Sequence, residues 1–144
     1  MTEPDFINNI TARGASFWPA APQRNIIMAN TVLQNRRFAM LPKFLTDIYK
    51  IASGINMGNG YIFGPTELAR NAMLPVPSII QINDEVKNAP NIRGKTVFGR
   101  NDLFWFAFDA FGTCYMLDNT SFRVLRKYDD PYRAMIDCLV AGKY

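Results

Sequence analysis

The sequence predicts an α+β fold: a single antiparallel or mixed sheet of about four to six strands, with helices mainly on one face. Three observations carry this expectation. In the first half, apolar residues recur at helical spacing, most clearly in "LPKFLTDIYKIASG". From residue 95 onward they alternate with a period of two, through "KTVFG", "FWFAFDAFGTCYMLD" and "SFRVLRKY". The last stretch, "DDPYRAMIDCLVAG", returns to helical spacing.

Taken in order, residues 1–30 are mixed in character and read as an N-terminal arm or an extra helix laid over one domain spanning 1–144. "FWPAAPQRN" reads as a loop. A helical signal starts near Asn30, and "TVLQNRRFAM" reads as a separate helix ended before Pro42. The next helix begins at Pro42, where a first turn tolerates proline, and its stripe is Phe44, Leu45, Ile48, Ile51 and Ala52. Gly54 suits its C-terminal cap. In "GINMGNGYIFGPTEL" the glycines mark turns and "YIF" a short strand. "PTELARNA" reads as a brief helix or turn opened by Pro65 or Thr66. A further helix is expected around residues 78–89, stopped by Pro90.

The stretch 104–118 is too interrupted to span a membrane, which takes roughly 20 apolar residues in succession. Asp109-Ala110-Phe111-Gly112 has Asp at the first turn position and Gly where a left-handed residue closes a short loop. A β-hairpin follows, with Asp109 opposite Thr113, Phe108 opposite Cys114 and Phe106 opposite Met116. Phe104, Phe106 and Phe108 share one face, while Trp105, Ala107, Tyr115 and Leu117 share the other. "SFRVLRKY" is the next strand, with Phe122 and Val124 alternating against Arg123 and Leu125. In the last helix Asp130 caps, Pro131 takes the first position and Gly142 stops. Tyr132, Met135, Ile136, Leu139 and Val140 form its stripe.

Composition limits function. A chain of 144 residues that is 49% hydrophobic and 13% aromatic is expected to bury a proper core. "MTEPDFINNITARG" lacks the basic start and apolar run of a secretory leader, so the cytoplasm is the expected location. Sixteen basic against 12 acidic residues give a net charge of +4, but the basic residues are dispersed, with Arg36-Arg37 and 123–127 the longest local groups. A solvated surface is favoured over a nucleic-acid site.

The chain has no histidine, which removes the serine triad, the cysteine–histidine dyad and mixed zinc sites. Cys114 and Cys138 read as reduced core residues. Asp102, Asp109 and Asp118 could in principle pair as acid and base, but turn and strand-end roles are favoured. No enzyme activity, cofactor or metal is expected.

From about Arg36 to Leu139 the order of signals resembles the SUKH superfamily, whose members include bacterial immunity proteins and fungal cell-wall regulators. The similarity runs through "LPKFLTDIYKIASGINMGNGYIFGPTEL", "VFGRNDLFWFAFDAFGTCYMLD" and "YDDPYRAMIDCL". The resemblance implies a cytoplasmic, non-catalytic immunity protein that binds and neutralises a cognate bacterial toxin, often a nuclease or a deaminase. A structural or regulatory interaction domain without a toxin partner is the alternative.

If the phenylalanines are core, the residues between them point the other way. The partner is then expected on the face bearing Trp105 and Tyr115, with rim contacts from Asp102, Arg123 and Tyr61. The competing expectation is that the N-terminal arm or another helix covers this face.

Overall fold

The computed structural model describes residues 1–70 and 74–141. Its elements are α1 (Glu3–Ala12), β1 (Ser16–Trp18), α2 (Gln23–Asn35), α3 (Lys43–Tyr49), β2 (Gly54–Met57), β3 (Gly60–Ile62), α4 (Ile79–Val86), β4 (Lys95–Arg100), β5 (Phe104–Asp109), β6 (Cys114–Asp118), β7 (Val124–Tyr128) and α5 (Pro131–Ala141). The strands form one antiparallel sheet in the order β1 to β7, each beside its neighbour in sequence. The fold is α+β, with seven strands among the described residues rather than four to six.

The additional strands are short. β1 spans three residues of a segment that reads as a loop, and β2 lies where Gly54 was expected to cap a helix. Segments of this length cannot display alternation. They become strands because a neighbour pairs with them, as Phe17 does with Ile55 and Ile55 with Ile62.

The central hairpin has the expected register, Phe108 opposite Cys114 and Phe106 opposite Met116. The Asp109 amide donates to the Thr113 carbonyl at 3.0 Å, and Gly112 closes the loop at φ 79°.

Helix α5 lies across the sheet and packs on β2 through β7. Its N-terminus is capped as expected, the Tyr132 amide donating to the Asp130 carboxylate at 3.0 Å. Met135, Ile136 and Leu139 of its stripe are buried, together with Ala134 and Cys138. The expected stop at Gly142 lies outside the described residues. Two features bring α5 close. A Cβ placed on Gly60 would sit 2.6 Å from the Cys138 carbonyl oxygen, so β3 and α5 meet backbone to backbone. The buried Asn101 donates to the same carbonyl at 3.0 Å while accepting from the Leu103 and Phe104 amides.

Helices α1 and α3 join α5. Phe44 of α3 meets both Phe98 and Tyr132 edge-on, and Phe6 of α1 lies 5.6 Å from the Tyr132 ring. A capping box starts α1: Asp5 donates its amide to the Thr2 hydroxyl, and Thr2 donates its amide to the Asp5 carboxylate. Phe6 and Ile10, one turn apart, are its buried residues.

Three helix boundaries differ from the sequence expectation. Helix α2 starts at Gln23 rather than near Asn30 and ends at Asn35. Helix α3 stops at Tyr49, leaving Ile51 exposed instead of on the apolar stripe. The chain beyond it is taken up by tertiary bonds: Ser53 donates to the Pro19 carbonyl, and Ala21 to that of Tyr49. Helix α4 ends at Val86 rather than at 89. No helix forms over 65–70, where Leu68 instead bridges Val76; Asn71 and Ala72 of "PTELARNA" lie outside the described residues.

Helix α4 meets the sheet at β4, and α2 packs on α4. Because β3 reaches only Gly99 and Arg100 of β4, the start of β4 has no strand on that side among the described residues. Asn83 of α4 fills the place. Its Nδ2 donates to the Val97 carbonyl and its Oδ1 accepts from the Val97 amide, both at 2.8 Å.

Candidate interaction surface

The expected division of the hairpin faces holds at Phe106 and Phe108, which are fully buried, while Phe104 is partly buried. The opposite face is covered as well: Ala107 and Leu117 are fully buried and Trp105 is only 7% exposed. At Trp105 a residue of the loop after β6 supplies cover: Phe122, its ring stacked 5.4 Å from the indole.

The local sequence explains that ring. Asp118 Oδ2 accepts from the Thr120 and Ser121 amides and from the Ser121 hydroxyl, closing the loop after β6. The closure leaves Phe122 at φ 59°, a left-handed conformation rare for a bulky residue, and so outside the strand expected to contain it. Trp105 Nε1 donates to the Asn119 carbonyl of the same loop at 3.1 Å.

Tyr61 and Asp102 come together. Both line a cleft of about 330 Å³ with Arg70, Arg100, Asn59 and Pro77. Asn59 Nδ2 donates to the Asp102 carboxylate at 2.6 Å. The Arg70 guanidinium lies 5.3 Å from the Tyr61 ring centre, and that of Arg100 lies 4.2 Å from the ring centre of Trp105. Trp105 therefore touches this cleft indirectly, as the support beneath Arg100.

Tyr115 is elsewhere, paired across the sheet with Ala107 and Lys127. Its hydroxyl donates to Asp109 Oδ2 at 2.8 Å, and Lys95 lies over its ring. Arg123 is exposed in the turn between β6 and β7. The five sequence-selected residues thus occupy three places: Tyr61, Asp102 and Trp105 at the cleft, Tyr115 beside Asp109, and Arg123 in its turn. Arg70 and Arg100 were missed. Only register could have found Arg100, which pairs opposite Trp105 on β4.

The groups with chemical potential have structural duties. Burial works to raise the Asp109 carboxyl, but hydrogen bonds from the Tyr115 hydroxyl and the Thr113 and Phe111 amides outweigh it and hold the group below the usual carboxylate value. The amides and hydroxyl around Asp118 lower it likewise. Burial pushes the Cys114 thiol up to about 12 and raises that of Cys138 as well, so both are protonated thiols at neutral pH. Among the described residues, no group of three or more His, Cys, Asp or Glu side chains could hold a metal ion, and no helix is long and apolar enough to cross a membrane.

A second surface lies around the hairpin tip and the end of α2. Arg36 and Arg37, the pair visible in sequence, line a groove of about 370 Å³ with Lys87, Arg93 and Lys95. Phe38 belongs both to this groove and to an adjoining hollow where Met40, Pro42 and Phe111 meet. Basic residues dispersed along the chain therefore converge in space.

No protein-family model matches the chain, and no curated protein matches it.

Proposed function

We propose that this chain is a non-catalytic binding protein that neutralises a cognate toxin domain, a nuclease or a deaminase, with a cytoplasmic site of action. The reading rests on the resemblance set out above and on one feature of the molecule. At a single cleft two guanidinium groups, Arg70 and Arg100, are each laid over an aromatic ring, with Asp102 at the rim. Arginine and aromatic residues dominate the energetics of protein interfaces. Stacking holds the arginine stems in place before a partner arrives, which lowers the ordering cost of binding. A partner with a carboxylate for Arg100 and a donor for Asp102 fits this arrangement.

The test begins with the reading frame beside this one, where a secreted polymorphic toxin is expected. Its C-terminal toxin domain is titrated with the parent chain and with Tyr61→Ala and Arg100→Ala. An anchor removed from such a site costs about 2 kcal/mol, or about thirtyfold in affinity. A purified toxin domain that does not bind the parent chain refutes the toxin reading. Binding that both variants leave within about twofold refutes the cleft.

A further inference from the structure

The tip of the β5–β6 hairpin presents Phe111, 93% exposed, on a turn with no slack. The Phe111 and Thr113 amides both donate to Asp109 Oδ1, the Tyr115 hydroxyl holds Oδ2, and the Gly112 amide donates to the Asp109 carbonyl. A Cβ built on Gly112 would stand 3.3 Å from Pro42, so the tip is seated against the link between α2 and α3. Met40, 42% exposed, shares the hollow with Phe111. A fixed turn thus displays a large ring that the fold does not use.

The basic groove adjoins this hollow at Phe38. Arg36 is engaged by Asp84, and Lys95 lies over Tyr115. Arg37, Lys87 and Arg93 have no carboxylate partner among the described residues. Arg37 is also placed at a conformational cost. It follows the C-cap of α2 at φ 61°, and the Phe38 amide donates back to the Leu33 carbonyl at 2.9 Å. That pattern normally takes glycine at the left-handed position. An arginine there aims charge into the groove where glycine would suit the backbone better.

We infer that Phe111 and the groove of Arg37, Lys87 and Arg93 form a docking surface for an acidic polypeptide segment carrying one large apolar side chain. The inference rests on the chain being a binding protein, but not on the cleft at Tyr61 or on the partner being a toxin. The layout decides between polypeptide and nucleic acid. Single-stranded nucleic acid needs stacking rings interleaved with cations at nucleotide spacing. Here Arg37, Lys87 and Arg93 share one groove and the exposed ring lies in the adjoining hollow, whose Lys43 is engaged by Asp47, the layout of an apolar anchor beside a charged rim.

Displayed random peptides selected on the full chain provide the test. Sequences rich in Asp and Glu with one large apolar residue are expected to be enriched. The most enriched peptide is then synthesised and titrated against the parent, Phe111→Ser, Arg37→Gly and Tyr61→Ala, with a uridine oligonucleotide alongside. Phe111→Ser and Arg37→Gly are each expected to weaken peptide binding by about tenfold or more, with salt sensitivity reduced in Arg37→Gly. Arg37→Gly is expected to melt no lower than the parent, which separates loss of a contact from loss of the fold. Tyr61→Ala is expected to bind normally. Enrichment without acidic bias, or affinity unchanged in both Phe111→Ser and Arg37→Gly, overturns the inference. So does tighter binding of the oligonucleotide at these residues. Loss of peptide binding in Tyr61→Ala alone would overturn it while supporting the cleft.

Discussion

Replacing Asn83 by alanine is expected to cost about 4 kcal/mol of folding stability, for reasons visible at one sheet edge. Asn83 is 1% exposed and fully used: Nδ2 donates to the Ile79 and Val97 carbonyls, and Oδ1 accepts from the Val97 amide. Alanine removes three hydrogen bonds. The Ile79 carbonyl keeps its place in the helix, but both polar groups of buried Val97 are stranded, at about 1–3 kcal/mol each. Since a domain of this kind holds roughly 5–15 kcal/mol in total, the variant approaches the edge of folding at room temperature. Urea titration followed by Trp fluorescence and by circular dichroism gives the difference, provided the two transitions coincide. Asn83→Asp sharpens the test. It keeps an acceptor for the Val97 amide but, once ionised, faces two carbonyls in a buried site, which raises its folded pKa above the unfolded value of about 4. Below that value the group is neutral in both states. As pH rises the unfolded chain loses its proton first, so the variant weakens progressively relative to the parent. A loss under about 1 kcal/mol in Asn83→Ala would mean that water reaches Val97, and the account of Asn83 as a substitute strand would be wrong.

Gly60→Ala is expected to lose about 1–3 kcal/mol, because the new methyl meets the backbone of α5 rather than a yielding side chain; thermal melting within a degree of the parent would refute the close approach. Asp109 is held below the usual carboxylate range, so its contribution is present above an unfolded pKa of about 4 and disappears as pH falls through the lower folded value. The stability gap between the parent and Asp109→Asn should therefore narrow as acid is added, and a constant gap between neutral pH and strong acid would count against the turn network. Cys114 and Cys138 should resist iodoacetamide at pH 8 in the folded protein and react promptly in denaturant, since both thiols are buried and shifted upward. Stoichiometric labelling of the native chain, followed by mass spectrometry, would contradict that placement.

The amino-acid sequence by itself determined the elements whose signals are local. The β5–β6 hairpin is one, because Asp109 and Gly112 set the turn and a period of two leaves a single register that buries the phenylalanines. The start of α5 is another, with Asp130 and Pro131 supplying cap and first turn. Helix α1 carries a signal too, Thr2 and Asp5 ahead of Phe6 and Ile10, although it is a short one within a mixed segment. Tertiary structure alone decided what is short or contacts at a distance. β1 and β2 are strands because their neighbours pair with them, and where α3 ends the Tyr49 carbonyl accepts from the Ala21 amide and Ser53 donates to the Pro19 carbonyl. The sites follow the same rule. Alternation shows that Trp105 opposes the phenylalanines, but only the loop that turns Phe122 over it decides that it is buried. Arg36 and Arg37 are adjacent in sequence, whereas their meeting with Lys87, Arg93 and Lys95 depends on how α2 packs on α4. A turn is written in consecutive residues; a surface is assembled from residues dozens of positions apart, and only packing brings them together.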